Sequence, residues 1–209
     1  MNSVFGAEFR RVENREHLGK PAVVAIAARS YDTTVEDLWD AITTRERLAR
    51  WFSPVEGDLK LGGRYQIQGN AGGTITRCEP PEAFDLTWEF GGGTSWLQVR
   101  LAPSGRKARF TLEHIAHRDG IGEAHLKQFG PGAVGVGWDL TLHGLGLHVA
   151  GPDQALDHAA LEAWSQSGEG KAFARASGEA WGAADAESGE DPAEARAKAE
   201  RTIAFYTGG

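Results

Sequence analysis

A single cysteine, Cys78, leaves the chain nothing to form an intramolecular disulfide with. The only methionine is Met1. No stretch approaches the roughly 18 apolar residues that a membrane span requires, and the opening VFGAEFRRVENREHLGK is polar and charged rather than a basic-then-apolar leader. Positive charge is in deficit: 22 Lys and Arg stand against 29 Asp and Glu, a net charge of −7. That balance leaves no broad basic field for a nucleic-acid backbone, and Arg45, Arg47 and Arg50 share one short segment with Glu46. Gly132, Gly135 and Gly137 are not followed by the lysine and hydroxyl of a phosphate loop. No strand–glycine–helix dinucleotide unit and no Gly-x-Ser-x-Gly elbow occur. These absences predict a cytoplasmic, reducing setting, no cofactor, and no nucleic-acid or membrane partner.

Hydrophobic residues make up 41% of the 209, enough for one domain with an appendage. Residues 1–21 read as an extended or poorly ordered leader. Ala22 to Ser30 is a small-apolar run suited to a strand buried on both faces. Thr34, with Asp37 three residues on, starts a helix carrying Val35, Leu38, Trp39 and Ile42 at helical spacing. A second short helix follows from Thr43-Thr44 and ends on Trp51-Phe52 before Pro54. From Val55 the period becomes two. Tyr65 and Ile67 share a face, Gly69 to Gly73 turns the chain, and Thr74 to Cys78 forms the next strand. Phe84, Leu86, Trp88 and Phe90 then alternate with Asp85, Thr87 and Glu89. Leu97, Val99 and Leu101 form the next inward set, and Ala108, Phe110, Leu112 and His114 the last. After a loop through Gly132, Val134 to Val149 places Trp138, Leu142, Leu145 and Val149 on one helical stripe. Gly144 and Gly146 cost about 1 kcal/mol each in such a helix, and close approach to the sheet is the expected compensation. The Ala- and Glu-rich remainder, 151–209, reads as three helices anchored by Leu156, Trp164, Phe173, Trp181, Ile203, Phe205 and Tyr206. They should pack on the main domain, across one edge of the sheet, or form a homodimer through Trp164, Phe173 and Trp181.

His114 points inward by strand parity and could orient a polar group or exchange a proton. A buried histidine bonded to its neighbours is the alternative. Glu113, His114, His117 and Asp119 are metal-capable types, but Glu113 and His114 face opposite ways, as do His114 and His117, so no metal site is expected. Cys78, at a strand end before Glu79, sits in no identifiable positive microenvironment, so activation to a thiolate is not expected.

Five segments in order carry a family resemblance: Thr34-Val35-Glu36-Asp37-Leu38-Trp39, Leu48-Ala49-Arg50-Trp51-Phe52, Gly62-Gly63-Arg64-Tyr65, Thr87-Trp88-Glu89 and Thr111-Leu112-Glu113-His114, with Gly137-Trp138 opening the last helix of the domain. Over residues 22–150 the chain resembles the START-like (SRPBCC, birch-pollen-allergen-like) superfamily, in the branch named for the activator of heat-shock-protein-90 ATPase. The tail resembles an extension of some bacterial members. The resemblance implies an α+β helix-grip fold, in which a curved seven-stranded antiparallel sheet wraps a long C-terminal helix. It also implies a cavity between the two, closed at one end by the short helix pair. Members include small-ligand binders, polyketide cyclases, hydroxylase-associated domains and chaperone activators, so the fold leaves the activity open.

The expected cavity residues are Trp39, Tyr65, Phe84, Leu86, Trp88, Leu97, Val99, Phe110, Leu112, His114, Trp138, Leu142 and Leu145, with Trp51 and Phe52 as packing anchors. The expected occupant is a small hydrophobic or aromatic molecule, bound without catalysis. The rival readings are a polyketide cyclase or dehydratase using the same cavity, and a co-chaperone-like interaction module.

Overall fold

Strands between residues 9 and 117 build one sheet, interrupted once by a helix pair. The computed structural model describes residues 6–119, 121–154 and 157–209. In chain order the elements are β1 (Phe9–His17), β2 (Lys20–Tyr31), α1 (Val35–Thr43), α2 (Arg45–Trp51), β3 (Val55–Gly57), β4 (Arg64–Ile67), β5 (Gly72–Glu79), β6 (Ala83–Phe90), β7 (Gly93–Ser104), β8 (Lys107–His117), α3 (Ile121–Phe129), α4 (Gly132–Ala150), α5 (His158–Gln166), α6 (Gly168–Glu187) and α7 (Pro192–Thr207). The eight strands run in the order β1-β2-β8-β7-β6-β5-β4-β3, every neighbouring pair antiparallel. The helix-grip architecture is therefore present, with one strand more than the seven the resemblance implied.

The extra strand is β1. Residues 9–17, expected as part of a leader, pair with β2 from Phe9↔Ala28 to His17↔Lys20. Their charged side chains disguise them: FRRVENREH offers only Val12 to the core, and an edge strand needs little more. Residues 1–5 of the expected leader lie outside the described residues. Strand β2 is buried on both faces, as its small-apolar run predicts. Val23, Ala25 and Ala27 join the main core, whereas Ala22, Val24 and Ile26 pack with Ile115 under Trp96 on the other side.

The helix pair is locked by a cap and a ring. Thr34 Oγ1 accepts the Asp37 amide, starting α1. The Trp51 indole donates to the Ala41 carbonyl at 2.9 Å, holding α2 against α1. Two differences from the expected pattern concern glycines and a loop. Gly72 and Gly73 belong to β5 rather than to the turn, because a Cβ on Gly73 would stand 1.9 Å from the Thr87 carbonyl oxygen. The stretch expected as loop before Gly132 contains α3, whose glycine-flanked sequence masks its short apolar face.

The tail covers the outer flank of α4. Its helix α6 lies so close that a Cβ on Gly135 would fall 2.3 Å from the Trp181 ring. Asp139, 0% exposed, is the clamp: Oδ1 accepts the Ala7 amide at 2.8 Å, and Oδ2 accepts from Arg10 Nε at 2.8 Å, the Trp181 indole at 3.2 Å and the Ser177 hydroxyl. One carboxylate thus ties the N-terminal segment, β1 and α6 to α4. The α7 helix adds Tyr206 Oη donating to the Ala133 carbonyl at 2.8 Å. Phe173 and Trp181, considered for a dimer face, are buried within the chain, and Trp164 stacks on His143. Of the other expected anchors, Ile203 is buried, Phe205 is 70% exposed, and Leu156 lies outside the described residues. On the sheet side, Gly146 does mark a close approach: its Cβ would meet the Arg29 guanidinium of β2 at 3.2 Å.

Candidate functional site

The concave side of the sheet does not close onto α4. Between them lies a cavity of about 310 Å³. Its floor is Tyr65 and Ile67 of β4, Leu86 and Trp88 of β6, Leu97 and Val99 of β7, and Phe110 and Leu112 of β8. Its roof is Trp138, Thr141, Leu142 and Leu145, one stripe of α4 at helical spacing. The helix pair closes one end through Trp39, Ile42, Thr43, Leu48, Trp51 and Phe52. Ile75, Cys78, Pro80 and Phe84 complete the wall, and the exposed Pro80 beside half-buried Cys78 marks where it meets solvent.

Twelve of the thirteen expected residues therefore gather around one space. The thirteenth, His114, is set behind the wall. Trp51 and Phe52, expected as packing anchors, line the cavity as well. Ile42, Thr43, Leu48, Val55, Leu59, Ile67, Ile75, Cys78, Pro80 and Thr141 join them without having been expected. The helical stripe of α4 could have revealed Thr141, three residues from Trp138, and strand parity with Tyr65 could have revealed Ile67. The rest depend on how the helix pair and the edge of β5 meet the space.

The lining chemistry is narrow. Among the described residues no Asp, Glu, Lys, Arg or His lines the cavity. The hydroxyl protons are committed to backbone carbonyls: Tyr65 Oη donates to Thr87 at 2.7 Å, Thr43 Oγ1 to Trp39 at 2.7 Å, and Thr141 Oγ1 to Gly137 at 2.9 Å. Burial raises the Tyr65 pKa far above the usual phenol range, so the ring stays un-ionised. Aromatic edges frame the space: Trp39 meets Phe84 with centroids 6.0 Å apart, and Trp88 meets Trp138 at 5.4 Å, both edge to face.

His114 is 7% exposed and has both nitrogens engaged. Its Nδ1 accepts from the Trp138 indole at 3.0 Å, so in the neutral ring the proton sits on Nε2, 2.8 Å from Ser95 Oγ. Burial pushes its pKa down to about 4. A second histidine, His148, is wholly buried and stacks on Trp51. Its Nε2 accepts from Arg47 Nε at 3.1 Å, and Arg47 also bonds Asp37 and Asp40. Burial first, then Arg47 and Arg50, lowers the His148 pKa. No group of three or more His, Cys, Asp or Glu is placed to hold a metal ion among the described residues. None of the described helices is long and apolar enough to cross a membrane.

Comparison with known proteins follows the same outline. The solution structure of CalU16 from Micromonospora echinospora is 32% identical, with a TM-score of 0.71 over 90% of this chain and 100% of that one. Its crystal structure gives 31% identity and a TM-score of 0.68 over 85% and 98%. Coverage this high requires the helical tail to be part of the match. DynU16, described as a protein in the dynemicin biosynthetic locus, shares the fold alone: 18% identity and a TM-score of 0.52 over 62% of this chain and 48% of that one. No curated protein matches the chain. Residues 32–150 match the model of the Activator of Hsp90 ATPase homolog 1-like protein family. With the helix-grip fold, its cavity and this match together, the chain belongs to the Activator of Hsp90 ATPase homolog 1-like family.

Proposed function

We propose that the chain binds one small, uncharged, apolar or aromatic molecule in the cavity and does not transform it. The observation that carries this reading is the space of about 310 Å³ walled by apolar side chains and, among the described residues, lacking any charged one. That volume is at the small end of ligand pockets, suited to a guest of two or three rings. Affinity would come from apolar burial, at roughly 25 cal/mol per Å². A carboxylate or phosphate would lose its hydration without gaining a counter-ion, a cost of several kcal/mol or more. The binding reading is favoured over a cyclase or dehydratase because no acidic, basic or histidine side chain among the described residues lines the cavity, and His114, just behind its wall, already gives both nitrogens to protein partners.

A matched pair of dyes tests this. N-phenyl-1-naphthylamine is neutral, and 8-anilino-1-naphthalenesulfonate is the same skeleton with a fixed negative charge. The neutral dye should bind at one per chain with enhanced emission, and the sulfonate about tenfold or more weaker, a difference of ~1.4 kcal/mol or more. Failure of native mass spectrometry to detect uptake of any neutral aromatic would defeat the reading.

A further inference from the structure

Three strands and the grip helix converge on one buried ring. His114 stands on β8 opposite Leu97, and Ser95 lies two residues along β7 on the same face, directly opposite Trp88 of β6. Trp138 descends from α4. The hydrogen bonds run in one direction through them: the Trp138 indole N–H donates to His114 Nδ1 at 3.0 Å, His114 Nε2–H donates to Ser95 Oγ at 2.8 Å, and Ser95 Oγ–H donates to the Trp88 carbonyl at 3.3 Å. Both ends of this relay line the cavity, and both middle members lie outside it. The indoles at the two ends touch each other edge to face, 65° between planes.

We propose that His114 is a positioning residue for the cavity: by holding the Trp138 indole against Trp88, it shapes the inner wall for a flat, uncharged aromatic guest. The proposal rests on the binding reading above. An indole on a helix has two torsions to settle, and packing alone leaves a flip about the second of them open. The acceptor at Nδ1 removes that freedom, because only one indole orientation brings N–H to it. Ser95 in turn fixes the tautomer, since a hydroxyl already donating to Trp88 is left to accept from Nε2–H. The wall is therefore set by hydrogen bonds that no guest needs to touch, and the guest meets a pre-oriented aromatic corner.

Glutamine at position 114 can accept from Trp138 and donate to Ser95, whereas leucine fills space and does neither. His114→Gln should bind N-phenyl-1-naphthylamine within about threefold of the parent, and His114→Leu about tenfold or more weaker. The globular competitor 1-adamantanol should lose much less, because it does not use a flat wall. In nuclear magnetic resonance spectra the Trp138 indole N–H signal should stay near its parent position in His114→Gln and move in His114→Leu. Ser95→Ala, which keeps the ring but frees its far nitrogen, should fall between the two and guards against a leucine variant that does not fold. Equal dye affinity in folded His114→Leu and parent, or equal losses in His114→Gln and His114→Leu, would overturn the proposal. A parent protein that takes up no dye would instead defeat the binding reading, and an unmoved Trp138 signal in His114→Leu would then also refute the relay.

Discussion

The two flanks of α4 are built to opposite specifications. Its outer flank meets α6 with no spare volume: Gly135 lies under the Trp181 ring, and Asp139 has its oxygens filled by four donors from three other parts of the chain. Its inner flank, on another side of the same helix, faces about 310 Å³ of open space. A single helix can do both because side chains a few residues apart point to different sides. The dense flank holds the helix still, and only a helix held still can leave a defined cavity on its other side.

Disrupting the dense flank should have the largest effect. Asp139→Ala removes the buried carboxylate that pairs with Arg10 and orphans the Ala7 amide and the Trp181 indole, so unfolding free energy should drop by about 3–5 kcal/mol. Chemical denaturation reads this directly, and an unchanged midpoint would show that the clamp contributes nothing. Acid should act next, through the one demanding place on the inner flank. The folded state holds His114 neutral, with its pKa at about 4 against a usual 6.5. Its contribution is complete above about pH 6.5 and is lost as pH falls toward 4, by roughly 3 kcal/mol. Burial lowers His148, His143 and His17 too, which adds to the same trend. A flat stability profile between pH 7 and pH 4 would contradict this.

Smaller changes sharpen the contrast along α4 itself. Gly135→Ala gains about 1 kcal/mol of helix propensity but drives a methyl group into the Trp181 ring. Overpacking of this kind costs 1–3 kcal/mol or more; with the added Cβ only 2.3 Å from the ring the upper end applies, so the net expectation is a loss of about 2 kcal/mol, read as a lowered melting temperature. On the inner flank, Thr141→Val removes a hydroxyl that bonds only its own helix. Stability should change by less than about 0.5 kcal/mol, while affinity for the neutral dye rises. A Thr141 variant as damaging as the Gly135 variant would mean that the two flanks are packed alike.

Much of this arrangement is legible in the residues themselves. Alternation in Phe84 to Phe90 and in Leu97 to Leu101 marks the strands and the faces that turn inward. The stripe Trp138, Leu142, Leu145 marks the roof, because helical periodicity survives wherever one face is apolar. Strand parity also turns His114 inward, but parity cannot say that Trp138 and Ser95 would claim both its nitrogens. β1 was hidden because an edge strand needs one buried residue, Val12, and can be charged elsewhere. Asp139 gave no sign either: one acidic residue in a helix looks solvent-exposed until tertiary packing brings Arg10, Ser177 and Trp181 to it.

Local pattern by itself determined β2 and the meander strands, the helix pair, the capping at Thr34 and the apolar face of α4, since each follows from side-chain periodicity and backbone preference within a few residues. Only the tertiary structure decided that α4 stops short of the sheet, that Trp51 and Phe52 border the space as well as packing in the core, and that the tail seals the other flank. Those outcomes depend on the summed volumes and hydrogen bonds of residues more than a hundred positions apart, such as Ala7 and Asp139, and no short window of sequence contains them.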